Sequence, residues 1–187
     1  AGLSVITTID QQAQKAASEA VRKAGPTTGT DGLRIGMAAV RPGTGEIVAM
    51  YGGADYVTEP LNNATQAIAQ AGSTFKPFAL YTALSQGVSL DEMLPGKNGT
   101  VVSGYKVHNY GGETFGQISL LQATEDSVNS AYVTLAYNIG IDGIINNAIN
   151  AGIPSDTAGI ERNLTFVLGT ASPHVLDVAT AYATFAA

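Results

Sequence analysis

Ser73 and Lys76 stand three residues apart in Gly72-Ser73-Thr74-Phe75-Lys76-Pro77-Phe78. Residues at i and i+3 share one face of a helix, so a helical segment would stack the amine one turn above the hydroxyl. The run Phe78 to Gln86 is apolar and rich in helix formers, and Gly87 supplies a stop. Gly72 permits a sharp entry turn. That places Ser73 at a helix N-terminus, where the dipole favours developing negative charge by roughly 0.3–1 kcal/mol. The plain alternative is an N-cap hydroxyl with a solvated lysine. The same spacing recurs in Ser103-Gly104-Tyr105-Lys106, among glycines and alternating apolar residues, which reads as extended chain or turn.

A second polar cluster, Asp126-Ser127-Val128-Asn129-Ser130, interrupts an otherwise apolar helical pattern. Such a break is a bend or a site. Serine acyl transfer needs a nucleophile, a proton acceptor, a proton carrier to the leaving group and a polar clamp on the substrate. His108 and His174 are far apart in sequence and form no obvious pair with an aspartate, so Lys76 must be the base or share that task. Lowering a lysine from about 10.4 to roughly 7 takes about 4.6 kcal/mol, which burial and a dipolar surrounding can supply. Glu125 and Asp126 read as helix-end solvation, and His108 and Tyr110 as loop packing near the cleft.

The elements that must position these groups follow from patterning. Leu3 to Ile9 looks extended. Thr8 or Asp10 can cap a helix from Gln11 to about Lys23, stopped at Gly25-Pro26. Leu33 to Arg41 and Glu46 to Gly52 flank the turn Pro42–Gly45 and read as a hairpin. Residues 55–66 form a loop, and 88–117 a long irregular stretch. Ser119 and Gln122 have capping-box spacing for a helix to about Glu125. A further helix spans Ala131 to Ile139, Asp142 caps another to Ala151, and Ser172-Pro173 opens the last. The chain reads as one domain, residues 1–187, ending inside a helix, with more helix than its one hairpin can support. We therefore expect C-terminal strands beyond this chain, carried by a companion fragment.

Composition closes off several classes. A net charge of −6 without a basic run argues against nucleic acid. The absence of cysteine removes disulfides and sulfur metal sites, and two separated histidines make no metal cluster. No metal or other cofactor is expected. No apolar run approaches a membrane span. Sequons at Asn63, Asn98 and Asn163 read as coincidental.

Taken together, the S-x-x-K and S-x-N elements resemble those of the serine penicillin-recognising enzymes. Thr7-Thr8-Ile9-Asp10, Thr44-Gly45-Glu46-Ile47-Val48-Ala49-Met50, Gly52-Gly53, Asn63-Ala64-Thr65 and the run 164–186 narrow the resemblance to the transpeptidase domain of class A, bifunctional, penicillin-binding proteins. It implies an α+β (α/β sandwich) fold, the serine β-lactamase/transpeptidase fold, with a helical cluster on an antiparallel sheet. It implies that Ser73 attacks the D-Ala–D-Ala amide of a peptidoglycan stem peptide, and that β-lactams acylate the same hydroxyl. Lys76 would be the base, Ser127 a proton relay, Asn129 the substrate clamp, and the Ser73 N–H half of an oxyanion hole. The family's third motif, Lys-Thr/Ser-Gly, is absent from this chain, as are its glycosyltransferase domain and membrane anchor. The parent would sit on the extracytoplasmic face of the bacterial membrane. The competing readings are a β-lactam-hydrolysing enzyme, which needs a carboxylate for deacylation, and a non-catalytic β-lactam-binding module.

Overall fold

The computed structural model describes residues 2–187. It divides into two compact units. The first comprises the chain to Ala69 together with Ala151–Ile153 and Pro173–Ala187. Helix α1, Gln11–Ala24, starts where Asp10 accepts the Ala13 N–H at 2.8 Å and ends with Arg22 and Lys23 at its negative pole. Strands β1, Met37–Val40, and β2, Ile47–Tyr51, pair antiparallel with a register shift at Ala39/Val40. The hairpin is shorter than its sequence limits suggest. Gln14 of α1 extends it: its side-chain amide donates to the Met50 carbonyl at 2.7 Å and accepts the Met50 N–H at 2.8 Å. Residues 3–9 form no strand. They are tied to β2 through Thr8 Oγ1 on the Ile47 carbonyl, at 2.8 Å, while Leu3, Val5 and Ile6 face solvent.

The last helix of this unit, numbered α6 in chain order, is Val175–Phe185, and it does not begin at Ser172-Pro173. His174 is the N-cap, in a reciprocal box with Asp177, whose carboxylate accepts the His174 N–H at 2.9 Å. The shifted frame puts an acidic residue at the third helical position. A Ser172 cap would have put Val175 there, with nothing to return the bond.

The second unit is residues 70–150 and 154–172. A 3-10 helix, Gly72–Phe75, leads into α2, Lys76–Ser85. Phe75, Phe78 and Phe166 are fully buried and meet edge-to-face, with centroids 5.2 Å and 5.3 Å apart around Phe75. Such contacts add about 0.5–1.5 kcal/mol each beyond burial. Phe166 lies on a second 3-10 helix, Leu164–Leu168, capped by Asn163 and closed by Gly169 in the left-handed region.

The stretch expected to be irregular contains two short antiparallel pairs. β3, Met93–Pro95, pairs with β6, Gln117–Ser119; β4, Val101–Val102, pairs with β5, Tyr105–Lys106. Ser103 and Gly104 have φ of 49° and 82°, so the second S-x-x-K spacing is a two-residue hairpin turn.

α3, Leu120–Glu125, forms half of its expected box. Ser119 accepts the Gln122 N–H at 3.2 Å, but the Gln122 side chain turns to Asp126 instead. α4 spans Asn129–Ile139, starting two residues before the expected point, and its buried face carries Tyr132, Val133, Leu135 and Ala136. α5, Ile141–Ala151, begins directly after Gly140, which has φ of 90°. Asp142 is thus inside its first turn rather than capping it, and its carboxylate pairs with Arg162.

Candidate active site

Ser73 and Lys76 occupy the join between the first 3-10 helix and α2. Two backbone bonds to the segment after Phe166 hold that join: Gly72 N–H to the Gly169 carbonyl at 3.1 Å, and Ala71 N–H to the Ala171 carbonyl at 3.0 Å. The approach is close enough to demand glycine. A Cβ on Gly169 would lie 2.0 Å from the Gly72 oxygen and 2.3 Å from its nitrogen. Phe75 is fully buried on the other side, so the backbone contact and the aromatic cluster together fix the Ser73 backbone.

The Ser127 segment comes from the turn between α3 and α4. Val128 N–H bonds the Ala123 carbonyl at 2.9 Å, and Ser127 N–H the Thr124 carbonyl at 3.3 Å. That paired pattern is a Schellman motif. Its left-handed seat, normally glycine, is Ser127, with φ of 54°. An L side chain there costs roughly 1–2 kcal/mol. The turn aims both the carbonyl and the hydroxyl of Ser127 at Lys76, and Val128 is buried behind it. The polar break in the sequence is thus one helix ending and another beginning.

Lys76 is where these segments meet. Its Nζ lies 2.9 Å from Ser73 Oγ, 2.9 Å from Ser127 Oγ, 2.7 Å from the Ser127 carbonyl and 2.8 Å from Asn129 Oδ1. All four residues named from the sequence are therefore within one hydrogen-bonded cluster. Lys76 is 4% exposed, whereas Ser73 is open to solvent. The amine also lies 5.6 Å from the centre of the buried Tyr132 ring. Among the described residues, no carboxylate is ion-paired with Lys76. Burial lowers its pKa from 10.5 to about 8, a smaller shift than one to 7.

The proton count at Nζ is informative. Two of its neighbours, the Ser127 carbonyl and Asn129 Oδ1, can only accept. A neutral amine gives its two hydrogens to them and keeps its lone pair for a hydroxyl proton. An ammonium has one hydrogen left, which the two serine oxygens must share. Loss of one proton therefore switches Lys76 from donor to acceptor toward Ser73 without moving a heavy atom.

Asn129 is oriented on both sides. Its Nδ2 donates to the His108 carbonyl at 2.9 Å, so its oxygen is the atom left for Lys76. His108 thus enters through its backbone, not its imidazole. Glu125 and Asp126 are exposed. Sequence reasoning missed Asn109, which is 7% exposed and bonded to Ser130; its only signal was an Asn inside a glycine-rich loop.

Comparison with known proteins gives the following. Residues 35–164 match the family model described as the penicillin binding protein transpeptidase domain. Penicillin-binding protein 1A of Mycolicibacterium smegmatis is 36% identical over 199 residues, covering 100% of this chain and 25% of that protein. Penicillin-binding protein 2D of Bacillus subtilis is 31% identical, covering 99% of this chain and 27% of that protein. The chain thus spans about a quarter of the curated relatives it matches. Among solved structures, PonA1 from Mycobacterium tuberculosis in complex with penicillin V superposes with a TM-score of 0.82 at 35% identity, over 100% of this chain and 52% of that one.

Proposed function

Since the chain belongs to the penicillin-binding protein transpeptidase family, we propose that it carries the acylation centre of a peptidoglycan D,D-transpeptidase, with Ser73 as nucleophile. The supporting observation is the buried Lys76 amine, shared by Ser73, Ser127 and Asn129 and shifted to about 8 by burial. In its neutral form Lys76 takes the Ser73 proton as Oγ bonds to the carbonyl carbon of the D-Ala–D-Ala amide. The C–N bond then breaks. The proton reaches the departing nitrogen through the Ser127 hydroxyl, and D-alanine leaves. The acyl group on Ser73 passes to an amine of a neighbouring stem peptide, closing a cross-link. Asn129 Nδ2 and the open face above Ser73 are where the substrate amide would be held, and the Ser73 N–H would support the oxyanion.

β-Lactams would acylate Ser73 by the same attack on a strained amide. Glu125 and Asp126, the acidic side chains nearest Ser127 in sequence, are exposed, and among the described residues no carboxylate pairs with Lys76, so the adduct should persist. A peptidoglycan stem-peptide substrate lies outside the cytoplasm, so on this reading the parent protein would sit on the outer face of the membrane. Among the described residues no helix is long and apolar enough to cross a membrane.

Intact mass after incubation with a penicillin tests the assignment. On protein that includes the expected C-terminal strands, one adduct is expected on the wild type and none on Ser73→Ala; the isolated chain is expected to be inactive. An adduct unchanged by Ser73→Ala would refute it, and rapid turnover of a chromogenic cephalosporin would favour a hydrolase.

A further inference from the structure

Helix α4 starts without a cap of its own. Val128, at its N-cap, has no side-chain oxygen, yet the first N–H groups of a helix need acceptors. Asn109 supplies one from 21 residues upstream. Its Oδ1 accepts the Ser130 N–H at 3.0 Å, while its Nδ2 donates to the Gly96 and Glu113 carbonyls, both at 2.9 Å. One end of the amide faces two carbonyls and the other an N–H, so a single orientation satisfies all three bonds. The adjoining His108 carbonyl takes the Asn129 Nδ2. One dipeptide, His108-Asn109, therefore anchors both Asn129 and the residue after it. Asn109 is held in turn through its own N–H, which donates to Asn98 Oδ1 at 2.9 Å.

We propose that Asn109 is a positioning residue for acyl transfer: by capping α4 from a distant loop, it sets the Ser127–Asn129 turn against Lys76. None of its hydrogen bonds reaches Ser73 or Lys76. This rests on the acyl-transfer reading above. The cap and the loop staple are chemically separable. Asn109→Asp keeps an acceptor for the Ser130 N–H and replaces the donor facing Gly96 and Glu113. Asn109→Ala removes both functions.

The experiment measures penicillin acylation on the wild type and both variants, resolving initial binding from the acylation step, alongside thermal midpoints. Both variants should melt earlier. The acylation step should slow by about 10²-fold in Asn109→Ala, the scale expected for a group displaced by about 1 Å. In Asn109→Asp it should stay within a few-fold of wild type. Wild-type rates in Asn109→Ala, or equal slowing in both variants, would overturn the proposal. Should neither variant fold, amide exchange on the wild type decides: the Ser130 amide should be protected like the interior of α4, and exchange at the rate of a free helix end would overturn it. A wild type that forms no adduct would instead refute the assignment of Ser73, and the positioning role would fall with it.

Discussion

A lysine that is 4% exposed, with its amine ringed by neutral oxygens, behaves unlike a surface lysine. Because burial penalises the charged form, its pKa falls from 10.5 to about 8. Acylation should therefore rise with pH through about 8, as the lone pair becomes available, and a profile flat from 6 to 9 would contradict this use of Lys76. The stability consequence has the same sign. Between about 8 and 10.5 the unfolded chain holds the Lys76 proton while the folded chain has released it, so stability should increase across that window. The melting midpoint of wild type minus that of Lys76→Met, followed against pH, isolates the effect. Asn129→Asp places a carboxylate beside the amine and should move the acylation profile to higher pH, since an opposite charge favours the ammonium. Ser127→Gly separates stability from chemistry. It relieves a left-handed seat costing roughly 1–2 kcal/mol, so the melting temperature should hold or rise, while acylation falls with the lost hydroxyl.

At the level of elements, the contact between the 3-10 helices Gly72–Phe75 and Leu164–Leu168 sets where the nucleophile sits. Gly169→Ala should be severely destabilising, because the new methyl would meet the Gly72 backbone at 2.0 Å and cannot swing aside. Gly87→Ala is the control: its φ of 83° is similar, but nothing lies within 4 Å, so it should cost only the roughly 1–2 kcal/mol of a left-handed residue. A melting series that ranked the two equally would remove the close approach from the account. The elements also show what patterning can and cannot read. α1, α2 and α4 announce themselves through apolar spacing and terminal glycines. β3 to β6 are two or three residues long, too short for alternation to register, and their pairing partners are set by tertiary contacts. α6 starts later than the sequence suggests because Ser172-Pro173 and His174–Asp177 both carry capping signals, and only the second can return the bond.

For the molecule as a whole, the stacking of Ser73 and Lys76 was legible because i, i+3 spacing converts directly into position. The meeting of Lys76 with Ser127 and Asn129 was not legible from spacing, since 51 and 53 residues separate them. Only the resemblance of their motifs linked the two segments. Asn109 was invisible because its work is done on backbone groups brought close by the fold. The chain carries a net charge of −6, yet the shift at Lys76 comes from lost hydration rather than from a charged neighbour. Mobile ions screen interactions between charges and leave a desolvation shift almost untouched. The midpoint of the acylation profile should thus barely move between dilute buffer and molar sodium chloride, a constancy that an amine tuned by a nearby ammonium or carboxylate would not show.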